Sequence, residues 1–265
     1  MTSKTVLMEI DGRGVATVTL NRPEVHNCFN EEVVIGLREY FDELAGRDDL
    51  RAVVLQAGGK SFCAGVDLNW MKEIGTFTEA ENVADAKRMA GMFDKLNTLP
   101  APTIAKVQGS AFAGGLGLIA ACDIAVAADH AKFAVTEVRL GLIAAAISPY
   151  LIAAIGAGPA RRYFQTAERF DTTEAKRIGL LHDAVPADAL DGAVDDIIAN
   201  ILKNAPASLR ACKTLIRECA GPITEDIQND TAARIAAIRA TPEGQEGISA
   251  FFEKRQPAWM AGTEG

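Results

Sequence analysis

The sequence predicts a mixed α/β core followed by a helical C-terminal third. Three observations carry that expectation. Strand and helix patterns alternate at irregular spacing up to Asp183, which is the signature of an α/β domain. Beyond Pro186 only helical patterns remain. A composition of 49% hydrophobic and 23% charged residues supplies a packed core and excludes a disordered, collagen-like or coiled-coil chain. With 265 residues and roughly 100–200 residues per domain, the expected division is a core over residues 1–186 and a helical region over residues 187–265, without a low-complexity linker between them.

The elements follow in order. Val15–Leu20 alternates apolar residues with Thr and reads as a strand, ended by Asn21-Arg22-Pro23 because proline cannot continue a ladder. Asn30 has the chemistry of a helix N-cap, with Glu31 and Glu32 in the first turn and Val33, Leu37, Tyr40, Phe41 and Leu44 at helical spacing. Residues 52–56 form a second strand and 57–60 a loop. Ala64-Gly65 turns the chain into a short helix through Leu68, Trp70 and Met71. A longer helix covers 78–97 and stops before Pro100 and Pro102. Thr103–Val107 is a strand, 109–117 a glycine-rich turn entering a helix, and 124–127 the next strand. Helical patterns then occupy 188–202, 206–219, 223–239 and 242–254.

Charge and cysteine content narrow the function. Lys and Arg number 27 against 35 Asp and Glu, a net charge of −8, which opposes binding to nucleic acid or to an anionic membrane. Five scattered cysteines without a CxxC spacing, and three histidines, give neither a disulfide framework nor a metal site, so reduced thiols and a cytoplasmic location are expected. Residues 1–11 lack the apolar core of a signal peptide. The uncharged stretch 140–160 is long enough to span a bilayer, but Gly141, Ser148, Pro149, Gly156, Gly158 and Pro159 interrupt it; it reads as a turn-broken segment of a core.

Two segments share glycine-permitted backbone at the entrance to a helix. In Ser61-Phe62-Cys63-Ala64-Gly65-Val66-Asp67-Leu68, Gly65 permits a turn that aims the Val66 N–H outward. In the glycine-rich stretch after Gly109, the Gly114 N–H lies at a helix start, where amides lack intrahelical partners and the dipole favours negative charge. Two such amides, if they converge, make an oxyanion hole; each alone is also compatible with an ordinary tight turn.

These segments, with Asn21-Arg22-Pro23, the run from Pro102 to Gly115, Cys122-Asp123-Ile124-Ala125 and the run from Phe133 to Gly141, resemble the crotonase superfamily of enoyl-CoA hydratases and isomerases, over essentially the whole chain. The resemblance implies a spiral of repeated ββα units, a C-terminal helical trimerisation region, an acyl-CoA thioester substrate with no cofactor beyond its CoA, and assembly as a homotrimer or a dimer of trimers. It also implies that Val66 and Gly114 donate their amides to the thioester oxygen. Typical hydratases of the family carry two glutamates. Here the first position is Gly117 and the second is Glu137, so one carboxylate remains as general acid and base.

The same resemblance puts the backbone around Ala64 and Leu68 near the adenine and pantetheine, with Arg22 and Val25 lining the nucleotide side. Trp70 and Met71 are candidate walls of the acyl pocket, core packing being the alternative. Asp67 is read as capping or orienting the helix beside the substrate, and Lys254 as reaching a CoA phosphate, across a subunit boundary or as a solvated cation. Residues 137–149 and 241–247 most resemble bacterial 3-methylglutaconyl-CoA hydratases, and Gly117 is expected to leave room and less negative charge for a branched, carboxylated acyl group. The leading function is hydration of such a 2-enoyl-CoA. Double-bond isomerisation by a single glutamate is the alternative, and a noncatalytic CoA- or RNA-binding trimer a further one.

Overall fold

The computed structural model describes residues 4–261. The chain opens with a hairpin of β1 (Val6–Ile10) and β2 (Val15–Leu20), then α1 (Glu31–Ala45), whose N-cap Asn30 accepts from the Val33 amide. There follow β3 (Ala52–Ala57), β4 (Ser61–Cys63), α2 (Leu68–Ile74) and α3 (Glu79–Asn97). Thr78 starts α3 with a capping box in which its hydroxyl and the Glu81 carboxylate each accept the other's backbone N–H. Next come β5 (Thr103–Val107), β6 (Ser110–Phe112), α4 (Gly114–Ala121), β7 (Ile124–Ala128) and β8 (Lys132–Ala134).

After a 3-10 turn at Glu137–Leu140 the chain forms α5 (Ser148–Ile155), α6 (Ala157–Thr166), β9 (Phe170–Asp171), α7 (Thr172–Arg177) and β10 (Asp183–Val185). It ends in α8 (Leu190–Leu202), α9 (Pro206–Glu218), α10 (Glu225–Ala240) and α11 (Pro242–Glu253). The uncharged stretch at 140–160 is broken into two short helices at Gly156, and no described helix is long and apolar enough to cross a membrane.

Two sheets result. The larger has the order β1-β2-β3-β5-β7-β10 and the smaller β4-β6-β8-β9; all pairs are parallel except β1 with β2 and β8 with β9. Each successive strand pair, β3/β4, β5/β6 and β7/β8, hands the chain from the large sheet to the small one, giving the ββα spiral expected. The glycine-rich stretch at 109–117 is not one turn, because β6 occupies its middle.

A main core fills the space between the sheets and α1, α3, α4 and α5, with Leu37, Phe41, Phe93 and Phe133 fully buried. The opposite face of the large sheet packs Val15, Val54, Ile104 and Val126 against Leu190, Val194 and Ile198 of α8. Burying a side chain of that kind contributes about 1.5–3 kcal/mol, so α8 is packed firmly on the large sheet. The helices beyond it differ. No residue of α9 or α10 is buried. Instead, Lys213 of α9 pairs with Asp123 at 2.7 Å, and Arg210 donates to the carbonyls of Arg47, Asp48 and Leu50.

Candidate active site

Three neighbouring parallel strands of the small sheet each end at a chemically distinctive residue. Val66 follows β4, Gly114 follows β6 and Glu137 follows β8, and the strand order β4-β6-β8 brings them together at one sheet end. Adjacent strands lie about 4.8 Å apart, so groups leaving successive strands are within reach of one small substrate.

The Val66 amide is aimed by the turn before it. Gly65 has φ +93°, a conformation natural to glycine, and any side chain there would meet the other loop: a Cβ on Gly65 would stand 3.0 Å from the Ala113 Cβ and 3.8 Å from the Gly114 nitrogen. Phe29 fixes this turn from below. Its N–H donates to the Gly65 carbonyl and its carbonyl accepts from the Asp67 N–H, both at 2.7 Å. Gly114 begins the eight-residue helix α4. A Cβ on Gly115 would stand 2.4 Å from the Cys63 carbonyl oxygen, so only glycine lets the helix start pack directly on the end of β4. Neither the Val66 nor the Gly114 N–H has a hydrogen-bond partner among the described residues.

Both amides line a cavity of about 340 Å³ together with Glu137. Glu137 is half-buried, and one of its carboxylate oxygens, Oε2, is buried without a partner. Burial pushes its pKa above the ordinary carboxylate range, against the weaker pull of the Glu137 and Thr136 backbone amides. The rest of the wall comes from Ala64, Leu68, Met71, Met89, Ala113, Thr136, Leu140 and the run from Leu142 to Ile147, so Glu137 is the one titratable side chain on it. A roomier groove, about 460 Å³, lies beside α8, but both of its cations are already paired, Lys106 with Asp191 and Arg13 with Asp11.

The other expected site residues divide. Ala64, Leu68 and Met71 stand on the cavity wall. Trp70 does not: it is 6% exposed and packs in the main core, because successive helical residues point about 100° apart and Met71 takes the cavity side. Arg22 is tied to the loops around it. It pairs with Asp67 at 2.9 Å and donates to the Cys28 carbonyl at 2.8 Å. Asp67 caps α2 by accepting from the Asn69 amide, and that hydrogen bond and the Arg22 guanidinium hold its carboxyl below the usual range despite partial burial. Val25 lies half-buried in a 3-10 turn outside the cavity. Lys254 caps α11 with an exposed side chain, beside exposed Phe251 and Phe252.

Gly117 is where the expectation fails most instructively. It leaves no room. A Cβ there would stand 2.3 Å from Ile147 Cγ2 and 2.8 Å from Phe93 Cε1, so the space a longer side chain would need is already taken by Ile147, which itself lines the cavity. Sequence reasoning also missed Phe29, Ala113 and Ile147. Only for Ala113 was there a local signal, its place between β6 and the glycines of α4; the others act through neighbours distant in the chain.

The raised pKa of Glu137 has a consequence for stability. Below the ordinary glutamate range the carboxyl is protonated in folded and unfolded chains alike and costs nothing. As pH rises the unfolded chain releases its proton first, so stability falls until the pH passes the raised folded value. Glu137→Gln, which cannot ionise, is therefore expected to melt above the wild type near neutral pH, the difference closing below the ordinary glutamate range. Melting curves across pH check this; a variant that melts below the wild type near neutral pH contradicts it.

Residues 11–262 match the enoyl-CoA hydratase/isomerase family. The crystal structure of an enoyl-CoA hydratase from Shewanella pealeana is 41% identical, with a TM-score of 0.93 over 96% of each chain. An enoyl-CoA hydratase structure from Mycobacterium smegmatis is 36% identical, with a TM-score of 0.90 over 96% of this chain and 98% of that one. The short-chain-enoyl-CoA hydratase of Clostridium acetobutylicum is 31% identical over 95% of both chains. The mitochondrial Delta(3,5)-Delta(2,4)-dienoyl-CoA isomerase of Dictyostelium discoideum is 28% identical over 93% of this chain and 88% of its own. The chain therefore belongs to the enoyl-CoA hydratase/isomerase family, the crotonase superfamily that its motifs resemble.

Proposed function

We propose that the protein hydrates a 2-enoyl-CoA thioester, with the Val66 and Gly114 amides holding the thioester oxygen and Glu137 moving the protons. The observation that carries this reading is the convergence of two unused amides and a half-buried carboxyl, one of whose oxygens is buried without a partner, in a single apolar cavity. Glu137 as carboxylate takes a proton from water as the oxygen adds to Cβ. The electron pair of the double bond moves to Cα and on to the thioester oxygen, where the two donors stabilise the enolate. The proton on Glu137 then passes to Cα and restores the carboxylate. A carboxyl whose pKa is raised towards neutrality serves both halves, and every atom comes from water and substrate, with CoA as the handle and no further cofactor.

The acyl group follows from the wall. Met71, Leu142, Ile143 and Ile147 suit an aliphatic chain, straight or branched. The carboxylate of a 3-methylglutaconyl group would find no cationic side chain on this lining and would be repelled by Glu137, so an uncharged enoyl group is the better match. Isomerisation remains the second reading, favoured by the single carboxyl: one group moving a proton between two carbons suffices.

The place of Ala64 and Leu68 on the cavity wall supports their role beside the adenine and pantetheine, with the Arg22–Asp67 pair holding that loop. The exposed apolar side chains Ile216, Ile223, Phe251 and Phe252 support assembly through α9 to α11 as a trimer or a pair of trimers, with Lys254 offered to a neighbour's CoA. The five unpaired thiols suit a reducing compartment, the cytoplasm.

Absorbance of the conjugated thioester separates the readings: hydration removes it from crotonyl-CoA, whereas isomerisation creates it from 3-butenoyl-CoA. Crotonyl-CoA is expected to be hydrated with a higher kcat/KM than 3-methylglutaconyl-CoA, and Glu137→Gln to lower kcat by about 100-fold or more with KM nearly unchanged. Turnover of the 3-enoyl substrate alone would overturn hydration, and normal turnover in the variant would overturn the role of Glu137. Sedimentation is expected to give the trimer or hexamer; a stable, active monomer would contradict it.

A further inference from the structure

We infer that Ala113 is a positioning residue whose Cβ is the spacer between the two amide donors. The inference rests on the oxyanion-hole reading of Val66 and Gly114. Ala113 has φ +48° and ψ −120°, a region natural to glycine and costly for a residue with a side chain. Three of the four other described non-glycine residues with positive φ, His26, Ala167 and Lys254, have ψ of 34°, 24° and 39° and so sit in the left-handed helical well that L-residues tolerate. Ala113 has no such well.

The conformation is held from both sides. The Ala113 N–H donates to the Ala134 carbonyl at 3.0 Å, and its own carbonyl accepts from the Leu116 N–H at 2.9 Å. The first bond ties it to the end of β8, just before Glu137; the second ties it to the first turn of α4. Its Cβ faces the third element so closely that a Cβ on Gly65 would stand only 3.0 Å from it. One methyl thus lies between the turn that aims Val66 and the residue that aims Gly114, on the wall of the cavity itself.

Glycine at 113 would fold with less strain and would lack the spacer. The Gly114 N–H would then sample a wider range of directions, while the cavity that binds the substrate stays intact. A merely structural role predicts the same relief of strain but unchanged turnover and an undiminished red shift.

The test compares wild type, Ala113→Gly and Ala113→Ser. The readouts are kcat and KM for crotonyl-CoA, melting temperature, and the absorbance shift of bound 2,4-hexadienoyl-CoA, whose conjugated carbonyl moves to longer wavelength when donors polarise it. Ala113→Gly is expected to melt no lower than wild type yet to lose about tenfold in kcat, less than the 100–1,000-fold of a donor removed outright, with KM unchanged and a smaller red shift. Ala113→Ser keeps a Cβ and is expected to keep the wild-type shift. A wild-type red shift that persists undiminished in Ala113→Gly with unchanged kcat overturns the spacer, as does loss of the shift in Ala113→Ser. Absence of any red shift in the wild type overturns instead the oxyanion-hole reading beneath it.

Discussion

The site depends on Phe29. Its backbone makes a two-bond bridge to the turn of Gly65 and Asp67, and its ring lies against the start of α4, where a Cβ on Gly114 would stand 2.6 Å from Phe29 Cε2. One fully buried residue therefore fixes the loop of the first amide by hydrogen bonds and supports the helix of the second by contact. The ring is held in turn by Phe93, edge-on with centroids 6.3 Å apart. Because interiors are close-packed and transmit displacement, a shift of this ring would move one donor relative to the other.

The sheet architecture explains why so few residues suffice. Each passage from the large sheet to the small one delivers one loop to the same end of the small sheet. Three passages deliver an amide, a second amide and a carboxyl. The large sheet, closed on its other face by α8, is the rigid support, and the apolar run from Leu140 to Ile147 closes the cavity over the sheet end. Ile147 links the support to the candidate site: it packs on Gly117 and faces the cavity, which makes Gly117 a packing requirement and leaves Glu137 without a second carboxyl.

Much of this was legible in the chain. The alternation at Val15–Leu20, the cap at Asn30 and the helical spacing after it report local preferences, and those held. Gly65 and Gly114 were legible because positive φ and a helix start leave marks in composition. The strands β4, β6, β8 and β9 are two or three residues long, too short to show a period. Trp70 and Met71 could not be sorted, since a short helix with two bulky neighbours does not say which faces the core. The meaning of Gly117 depends on Ile147 and Phe93, and the pairing of Arg22 on Asp67 of another loop, so neither is written in the local sequence.

The proposed chemistry has two backbone donors stabilising an enolate that Glu137 forms and quenches. It is tested most directly with a substrate that can be neither hydrated nor isomerised. Butyryl-CoA incubated in deuterium oxide with wild type should gain deuterium at Cα, as the enolate forms and is reprotonated from solvent, and with Glu137→Gln it should gain none above background. Exchange that is absent in an enzyme active on enoyl-CoA, or equally fast in both proteins, would contradict the account.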